Sequence, residues 1–394
     1  MQNNKINILL FGAVDRFNYG DLLFPVIIKQ KLLEYNSTDL NISVCGIIQS
    51  NFTEYGALPS ESLQDFYQKC EAKNTYVIVV GGEVLSARWG NIYSYLNSCF
   101  NQLYYCIGIL FRKYSIKINN TIAKILLKGR TEFPFIIETD KFPNLEGIIY
   151  NAVGGVPNNR NISKRIIQNL SKSTYISCRE NISFNNLERY IPNVKLMPDS
   201  AILMSTLFKK EDLISLKKLK DTPQDYVFFQ ISISELKRYS LSFIVEKLNK
   251  IYFKHKKNIV LCPIGTALGH SDHNSLGTIS SYLQFEHTLI EEPTIWDIMH
   301  LIANSSLYVG SSLHGVITAM SFSIPYLAIR NTSKIIFYLD TWAIPELNEV
   351  TNKNNWDKNL ENAFSISKTK LFENRNYQIT LAEQSMQKIC NLIA

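Results

Sequence analysis

Short apolar, β-branched runs alternate with segments of helical spacing along almost the whole chain. This alternation is typical of parallel βαβ units, in which helices cover both faces of a buried sheet. The first half predicts strands at Ile6–Phe11, Ser43–Ile48, Tyr76–Val80, Gly147–Val153, Tyr175–Cys178 and Val194–Met197. The second half predicts strands at Tyr226–Ile231, Ile259–Pro263, Leu307–Val309 and Tyr326–Ile329. The pattern therefore predicts an α/β fold.

The length of the chain predicts more than one domain, because 394 residues exceed one typical hydrophobic core. Residues 209–224 are rich in lysine and poor in apolar side chains, so we expect a linker between domains at 1–208 and 225–345. The segment 346–394 has helical spacing and is predicted to pack back across the first domain. Two Rossmann-like, doubly wound parallel sheets that face each other would hold a ligand in the cleft between their carboxyl ends.

The cysteines and the apolar runs indicate the cellular compartment in which the protein is expected to lie. The seven cysteines are scattered, odd in number and without a CxxC pair, which supports neither a zinc ribbon nor a disulfide framework. Several lie in apolar runs, where we expect small core residues. The apolar stretch at the N-terminus is too short for a signal peptide, and no run reaches the ~18–20 residues of a membrane span. These features predict a cytoplasmic protein.

The most specific motif runs from Leu307 to Pro325, where a strand, a small-residue turn and a helix follow one another. His314 then lies at a helix N-terminus, where unpaired N–H groups and the helix dipole favour anions. The dipole also lowers the pKa of a histidine, which keeps the imidazole neutral and able to act as a base. A phosphate or carboxylate could bind the amides of 311–313 beside His314; the alternative is a histidine that only caps the turn.

Polar and glycine residues follow two strands of the first half. Gly20 permits a close approach of the backbone, and Asp21 either caps the next helix or binds sugar hydroxyls. Paired glycines let a ligand touch the backbone, although turns use such pairs often, and Glu83 is placed to hold a hydroxyl. The candidate residues at these two strand ends are Asn18, Gly20, Asp21, Gly81, Gly82 and Glu83.

Two further motifs have both a binding and a structural interpretation. Arg179 follows a strand and could clamp an anion, or it could pair with Glu180 or Asp199. The loop that contains His270 and Asp272 suggests zinc, but its spacing fits no usual zinc motif, so a polar substrate loop is favoured and no metal is predicted.

A basic segment at 88–131 stands out because no Asp or Glu lies between Glu83 and Glu132. Its seven Lys and Arg residues equal the formal net charge of +7, and many aromatic and aliphatic residues lie between them. This combination suggests peripheral contact with the anionic inner face of a membrane. A helical hairpin with a solvated basic side is the alternative. Nucleic acid is disfavoured, because the charge is confined to one segment and no binding motif accompanies it.

Taken together, the motifs resemble the polysaccharide pyruvyltransferase family over about residues 8–340. The resemblance rests on Asn18–Asp21, Gly81–Leu85, Arg179–Ser183, Pro198-Asp199 and Ser311–Pro325. It implies a fold similar to GT-B glycosyltransferases. It also implies transfer of pyruvate from phosphoenolpyruvate, a co-substrate with no added cofactor, to a sugar of a surface polysaccharide or of its lipid-linked precursor.

The resemblance also implies roles for individual residues. His314 matches the family histidine, whose expected role is proton transfer during ketal formation. The expected donor side comprises Ser311, Ser312, Leu313, Gly315, Arg179, His270 and Asp272. The expected acceptor side comprises Asn18, Gly20, Asp21, Gly81, Gly82 and Glu83.

The sequence departs from the family pattern at two positions. Some members have an arginine two residues before the histidine, where this chain has Ser312, and another near the end of the strand at Gln230. Arg179, Lys237 and Arg238 are the candidates to replace these cations. A glycosyltransferase that binds a nucleotide sugar around Ser311–Gly315, and a catalytically silent scaffold, therefore stay open as alternatives.

Overall fold

Two parallel β-sheets form the framework of the protein. The computed structural model describes residues 5–35, 39–155, 162–265, 272–330 and 332–393. The strands in these ranges are β1 (Ile6–Phe11), β2 (Leu40–Cys45), β3 (Thr75–Val79), β4 (Leu145–Val153), β5 (Tyr175–Cys178), β6 (Lys195–Leu196), β7 (Tyr226–Gln230), β8 (Asn258–Leu261), β9 (Thr288–Leu289), β10 (Leu307–Gly310) and β11 (Tyr326–Ala328).

Helices connect the strands and cover the sheets. They are α1 (Tyr19–Tyr35), α2 (Leu63–Lys69), α3 (Trp89–Leu96), α4 (Ser98–Phe111), α5 (Ser115–Leu126), α6 (Lys164–Leu170), α7 (Asn181–Glu188), α8 (Met204–Leu207), α9 (Lys210–Leu216), α10 (Ile233–Tyr239), α11 (Leu241–His255), α12 (Asp272–Tyr282), α13 (Ile295–Ala303), α14 (Leu313–Ser321), α15 (Ser333–Trp342), α16 (Trp356–Ser365) and α17 (Lys368–Ile393). Short 3₁₀ turns lie at Thr53–Tyr55, Arg112–Tyr114, Ser200–Leu203 and Pro345–Leu347.

The order of the strands fixes where ligands can bind. The first sheet has the order β2-β1-β3-β4-β5-β6, and its strand order reverses between β1 and β3. The second has the order β11-β10-β7-β8-β9, with the reversal between β7 and β10. All the paired strands are parallel. Ligands of open α/β sheets bind outside the carboxyl ends of the strands at such reversal points.

The predicted architecture of two parallel-sheet α/β units is confirmed. One strand shows why boundaries differ: β2 covers Leu40–Cys45, whereas the sequence predicted Ser43–Ile48. The Ile47 and Ile48 amides donate to Asp15 Oδ2 at 2.8 and 3.2 Å, so the chain leaves the sheet before them. The short strand β9 was not predicted, because two residues carry no periodic signal.

Helix α1 joins the hydrophobic cores of the two sheets. Every residue from Tyr19 to Ile28 is buried except Asp21, which lines a cleft, and Lys31 and Leu32 are buried as well. Helix α1 is therefore covered on all sides. One apolar cluster runs continuously from Ile8 of β1 through α1 to Val309 of β10. Tyr19 and Thr318 share a hydroxyl–hydroxyl hydrogen bond of 3.0 Å, which links α1 to α14. A second cluster fills the opposite face of the first sheet.

The C-terminal helix α17 packs against α1 and α14. The Ser385 hydroxyl is 2.8 Å from the Tyr175 hydroxyl on β5, and Arg375 Nε donates to the Ser321 carbonyl at 2.6 Å. The segment expected to be a linker contains a helix, since α9 occupies Lys210–Leu216. No described helix is both long and apolar enough to cross a bilayer.

Candidate active site

A cleft of about 410 Å³ lies where the carboxyl ends of the two sheets face each other. Nearly all the strand-end motifs from the sequence line it, namely Asn18, Asp21, Gly81, Gly82, Glu83, Arg179, Asp272, Ser311, Ser312, Leu313 and His314. His270 lies outside the described residues. Gly20 and Gly315 do not line the cleft but pack directly behind it, as described below.

His314 is the second residue of α14, whose N-cap is Ser312. The Ser312 hydroxyl accepts a hydrogen bond from the Gly315 amide at 3.4 Å, as an N-cap does. The imidazole ring lies edge-on to Phe24, with the ring centres 5.2 Å apart. Its buried Nε2 has no hydrogen-bond partner among the described residues, and the nearest carboxylate oxygen, Asp199 Oδ2, is 3.9 Å away.

The surroundings of His314 hold its pKa well below the usual value of 6.5. Burial is the largest cause, and the positive charges of Arg179 and Lys334 act in the same direction. The imidazole is therefore neutral at neutral pH and can accept a proton. This agrees with the behaviour expected of a histidine at a helix N-terminus.

Gly20 and Gly315 leave room for side chains of the site. A Cβ atom on Gly20 would lie 1.9 Å from His314 Nδ1, so the ring occupies the space that any other residue would fill. A Cβ on Gly315 would lie 2.1 Å from the Tyr308 hydroxyl, which donates to the Ser312 carbonyl at 3.3 Å. Both glycines therefore act by position rather than by contact with a ligand.

Arg179 forms a buried charge cluster behind His314. Its Nη1 donates to Asp199 Oδ2 at 2.9 Å, and its Nε is 3.6 Å from Glu180 Oε2. These are the structural ion pairs that the sequence analysis named as the alternative to anion binding. Burial raises the pKa of Asp199, and the charge of Arg179 opposes that effect. Arg179 still lines the cleft, but its charge is largely balanced by two carboxylates.

Gln230 and Asp272 connect the carboxyl ends of β7 and β10. Gln230 Nε2 donates to Asp272 Oδ2 at 2.8 Å, and Gln230 Oε1 accepts from the Ser311 amide at 2.9 Å. Asp272 Oδ2 also accepts from the amides of Ile264 and Gly265, each at 3.0 Å. The Ser311 amide, expected to bind an anion, is thus already used within the protein. The amides of Leu313 and His314 have no acceptor among the described residues.

The first sheet contributes carboxylate side chains and the backbone of two glycines to the cleft. Asp21 does not cap α1, because the helix begins two residues earlier, and its carboxylate accepts from Arg16 Nη2 at 3.3 Å. Gly81 and Gly82 have φ angles of +118° and +84°, which residues with a Cβ rarely adopt. Glu83 is exposed and lines the cleft.

Two cations on the second-sheet side of the cleft were not singled out in the sequence. Arg330 and Lys334 lie at the end of β11 and the start of α15, and both line the cleft. Arg330 Nε is 4.0 Å from Glu235 Oε1, whereas Lys334 forms no ion pair or hydrogen bond with any described residue. Burial lowers the pKa of Lys334, and the charge of Glu83 opposes this. The position of Arg330 directly after the predicted strand Tyr326–Ile329 was the signal that would have found this arginine.

The two other cations proposed to replace the family arginines lie elsewhere. Lys237 and Arg238 are exposed on α10 and do not line the cleft. Arg238 Nε is 2.7 Å from Glu235 Oε2, and its Nη2 donates to the Ile329 carbonyl at 3.0 Å. We therefore correct that expectation, because neither residue lines the cleft.

Sequence comparison decides the family. The description "Polysaccharide pyruvyl transferase" belongs to the family model that matches residues 18–333. The chain belongs to this family. Membership in the polysaccharide pyruvyl transferase family makes the protein a transferase and confirms the resemblance seen in its motifs. No match to the chain is found among curated proteins.

Solved structures outside the pyruvyl transferase family share the fold. The crystal structure of Methanocaldococcus jannaschii UDP-GlcNAc 2-epimerase in complex with UDP-GlcNAc and UDP is 15% identical, with a TM-score of 0.54. The matched region covers 92% of this chain and 94% of the epimerase chain. A putative UDP-N-acetylglucosamine 2-epimerase from Listeria monocytogenes is 10% identical with a TM-score of 0.52, over 98% of this chain and 95% of its own. These similarities show a common two-domain, GT-B-like fold.

Proposed function

We propose that the protein transfers a pyruvyl group from phosphoenolpyruvate to two hydroxyls of one sugar, forming a ketal. The observation that carries this proposal is the combination, in one cleft, of a neutral imidazole and a cation without a protein partner among the described residues, His314 and Lys334. Phosphoenolpyruvate carries a phosphate and a carboxylate, so it would supply the missing negative charge.

The donor is proposed to bind on the side of the second sheet. Arg330 and Lys334 would take the place of the arginines found in some family members, and the free amides at the start of α14 would bind an anionic oxygen. Ser312 replaces a cation with a helix N-cap, so the positive charge reaches the cleft from the end of β11 rather than from the turn before His314.

The reaction requires proton transfer at two places, which His314 is placed to assist. Two C–O bonds form between pyruvyl C2 and the sugar oxygens, and the bond from C2 to the phosphate oxygen breaks. One hydroxyl proton ends on the methylene carbon, which becomes a methyl group, and the other leaves with phosphate. A neutral imidazole beside the donor can take a hydroxyl proton as the first C–O bond forms.

The acceptor is proposed to bind on the side of the first sheet, as a sugar of a surface polysaccharide or of its lipid-linked precursor. Asp21 and Glu83 offer carboxylate oxygens to sugar hydroxyls, Asn18 offers an amide, and the left-handed Gly81-Gly82 backbone allows close contact. We propose a cytoplasmic site for the reaction, and the seven free cysteines suit such a reducing compartment.

A nucleotide sugar is the second candidate donor, because an epimerase of the same fold was solved with UDP-GlcNAc and UDP. A thermal-shift measurement with phosphoenolpyruvate and a panel of nucleotide sugars separates the two. A ligand that binds the native state stabilises it in proportion to the logarithm of its concentration over Kd. Stabilisation by phosphoenolpyruvate alone supports the pyruvyl donor, and stabilisation by one nucleotide sugar alone would overturn it.

Lys334→Met tests the role of the partnerless cation. Loss of one charge-assisted hydrogen bond of about 1.5–3 kcal/mol should raise the KM for phosphoenolpyruvate roughly 10- to 100-fold, with a smaller change in kcat. Lys237→Met is the matched control, because Lys237 is exposed outside the cleft. An unchanged KM in Lys334→Met would remove this residue from the donor site.

A further inference from the structure

Helices α4 and α5 form an antiparallel hairpin that packs on α3 and projects from the first sheet. We call residues 109–117 the hairpin tip, since they join the two helices. Large apolar side chains of the tip are 50 to 76% exposed, namely Ile109, Leu110, Phe111, Tyr114 and Ile116. Leu103 and Tyr105 of α4 and Ile125 and Leu126 of α5 are also exposed.

The composition of α4 is unusual for a helix at a protein surface. Its sequence SCFNQLYYCIGILF has no charged residue, yet it buries only Phe100 and Ile107. A helix that is uncharged and largely apolar normally lies in a core or in contact with lipid. Cys99 and Cys106 are exposed as well, whereas the other five cysteines are buried. The hairpin therefore leaves an apolar patch at its tip, and exposed apolar patches mark interaction sites.

Positive charge surrounds this patch. Arg112 and Lys113 lie in the tip, Lys117 and Lys124 follow on α5, and Lys128 follows the helix. None of the five forms an ion pair with a described residue. Arg88 and Arg130, the other two cations of the segment, instead stack on Phe133 and Tyr67.

We propose that the hairpin tip inserts its apolar side chains into the interface of an anionic membrane, with the flanking cations on the lipid headgroups. Apolar side chains beside Lys and Arg are the combination that binds such interfaces. A second copy of the chain fits this surface less well. In a symmetric dimer each patch meets its own copy, which would bring five unpaired cations against five others.

The hairpin lies next to the candidate active site. Helix α3 packs against both α4 and α5, and its Asn91, Ile92 and Tyr95 line the cleft. A protein anchored by the tip would hold the acceptor side of the cleft close to the membrane. This would suit a lipid-linked acceptor, a consequence that rests on the proposed function.

Vesicle flotation measures the binding directly, with the full chain and with no donor or acceptor present. We expect the protein to float with vesicles of phosphatidylcholine and phosphatidylglycerol and not with phosphatidylcholine alone. Removing three charges in Arg112→Gln/Lys113→Gln/Lys117→Gln should weaken binding roughly 100- to 200-fold, because each Lys or Arg near an anionic surface contributes about a factor of five. The triple variant Ile109→Ser/Leu110→Ser/Phe111→Ser should lose at least roughly tenfold.

Each variant has a control matched in residue type and exposure. Ile214→Ser/Leu33→Ser/Phe253→Ser changes the same three types of exposed side chain on other helices. Lys73→Gln/Lys172→Gln/Lys220→Gln removes three exposed charges outside the hairpin. Both controls should float like the unchanged protein.

Two outcomes would overturn the proposal. One is flotation that does not differ between neutral and anionic vesicles, or that does not differ between the tip variants and their controls. The other is a dimer in sedimentation analysis that the apolar tip variant converts to a monomer without a change in flotation, which would assign the surface to a second copy. Because neither measurement requires the transfer reaction, failure here leaves the proposed pyruvyl transfer standing, and failure of that reaction leaves flotation unchanged.

Discussion

At the scale of single residues, His314 and Gly20 form one unit. Gly20 lies within α1, where alanine would be more stable by about 0.5–1 kcal/mol because glycine loses more conformational freedom. The space left by its missing Cβ is filled by the imidazole of His314. The glycine is therefore explained by the position of the histidine ring rather than by the helix that contains it.

His314→Gln should lower kcat by about 10²- to 10⁴-fold, since it removes the group that moves protons. In the unchanged enzyme, kcat should begin to fall on the acid side only below pH 6.5, because the lowered pKa of His314 keeps the imidazole neutral at pH 6.5 and above. Steady-state phosphate release across pH measures both. Phosphate release at an unchanged rate in His314→Gln would remove His314 from the catalytic step.

Gly20→Ala should displace the His314 ring and lower kcat by at least roughly tenfold, while the KM for phosphoenolpyruvate changes less. Gly277→Ala is the matched control, because Gly277 lies in α12 and a Cβ there meets no atom within 4 Å. That control should keep full activity and gain about 0.5–1 kcal/mol of stability. Equal kcat in the two variants would separate Gly20 from the catalytic step.

At the scale of elements, the second sheet is tied together at its reversal point. Gln230 at the end of β7 joins Asp272 at the start of α12 to Ser311 after β10. Burial raises the pKa of Asp272 to about 6, and the hydrogen bonds that it accepts oppose the shift. This carboxylate thus holds three elements in register at a cost in desolvation.

The raised pKa of Asp272 predicts that the free energy of unfolding depends on pH. In the unfolded chain the pKa of Asp272 is 3.8, so the folded protein binds more protons than the unfolded one between about pH 4 and 6. The contribution of Asp272 to stability is therefore largest below pH 4 and falls as the pH rises through 6. Asp272→Asn should remove this component, which the difference between the unfolding free energies of the two proteins measures from pH 4 to 7. A difference that does not vary with pH would contradict the raised pKa.

The elements also show how far the sequence leads. Ile6–Phe11 and Tyr175–Cys178 were predicted with the bounds that the structure has, because their apolar patterns are complete. The strand-end motifs were expected around one cleft, and parallel sheets bring them there. Lys334 and the exposure of Cys106 were not predicted, because they depend on which face of a helix another element covers. Sequence spacing alone does not contain that information.

At the scale of the whole molecule, α1 belongs to both sheets. It contacts α13 and α14 of the second sheet as well as β2 of the first, and α17 covers it from outside. The Trp342 indole donates to the Arg179 carbonyl at 2.7 Å, which adds a further connection between α15 and the end of β5. The two sheets share one core through these contacts.

This shared core predicts a single cooperative unfolding transition, although chains of this length often unfold in steps. Far-UV circular dichroism and tryptophan fluorescence should give the same midpoint in denaturant. Trp89 lies in the core of the first sheet alone and Trp356 in the shared cluster, so comparison with Trp89→Phe separates the two regions. Two distinct midpoints would show that the sheets unfold independently.

The shared helix also limits how the enzyme can move. Many two-domain enzymes admit substrates by a hinge rotation that separates the domains. Here the same rotation would pull apart the apolar packing around α1 and break the hydrogen bond between Tyr19 and Thr318. Substrates should therefore enter through the open mouth of the cleft, and the two halves should stay aligned from one turnover to the next. Such an enzyme gains its rate from preorganised geometry rather than from closure.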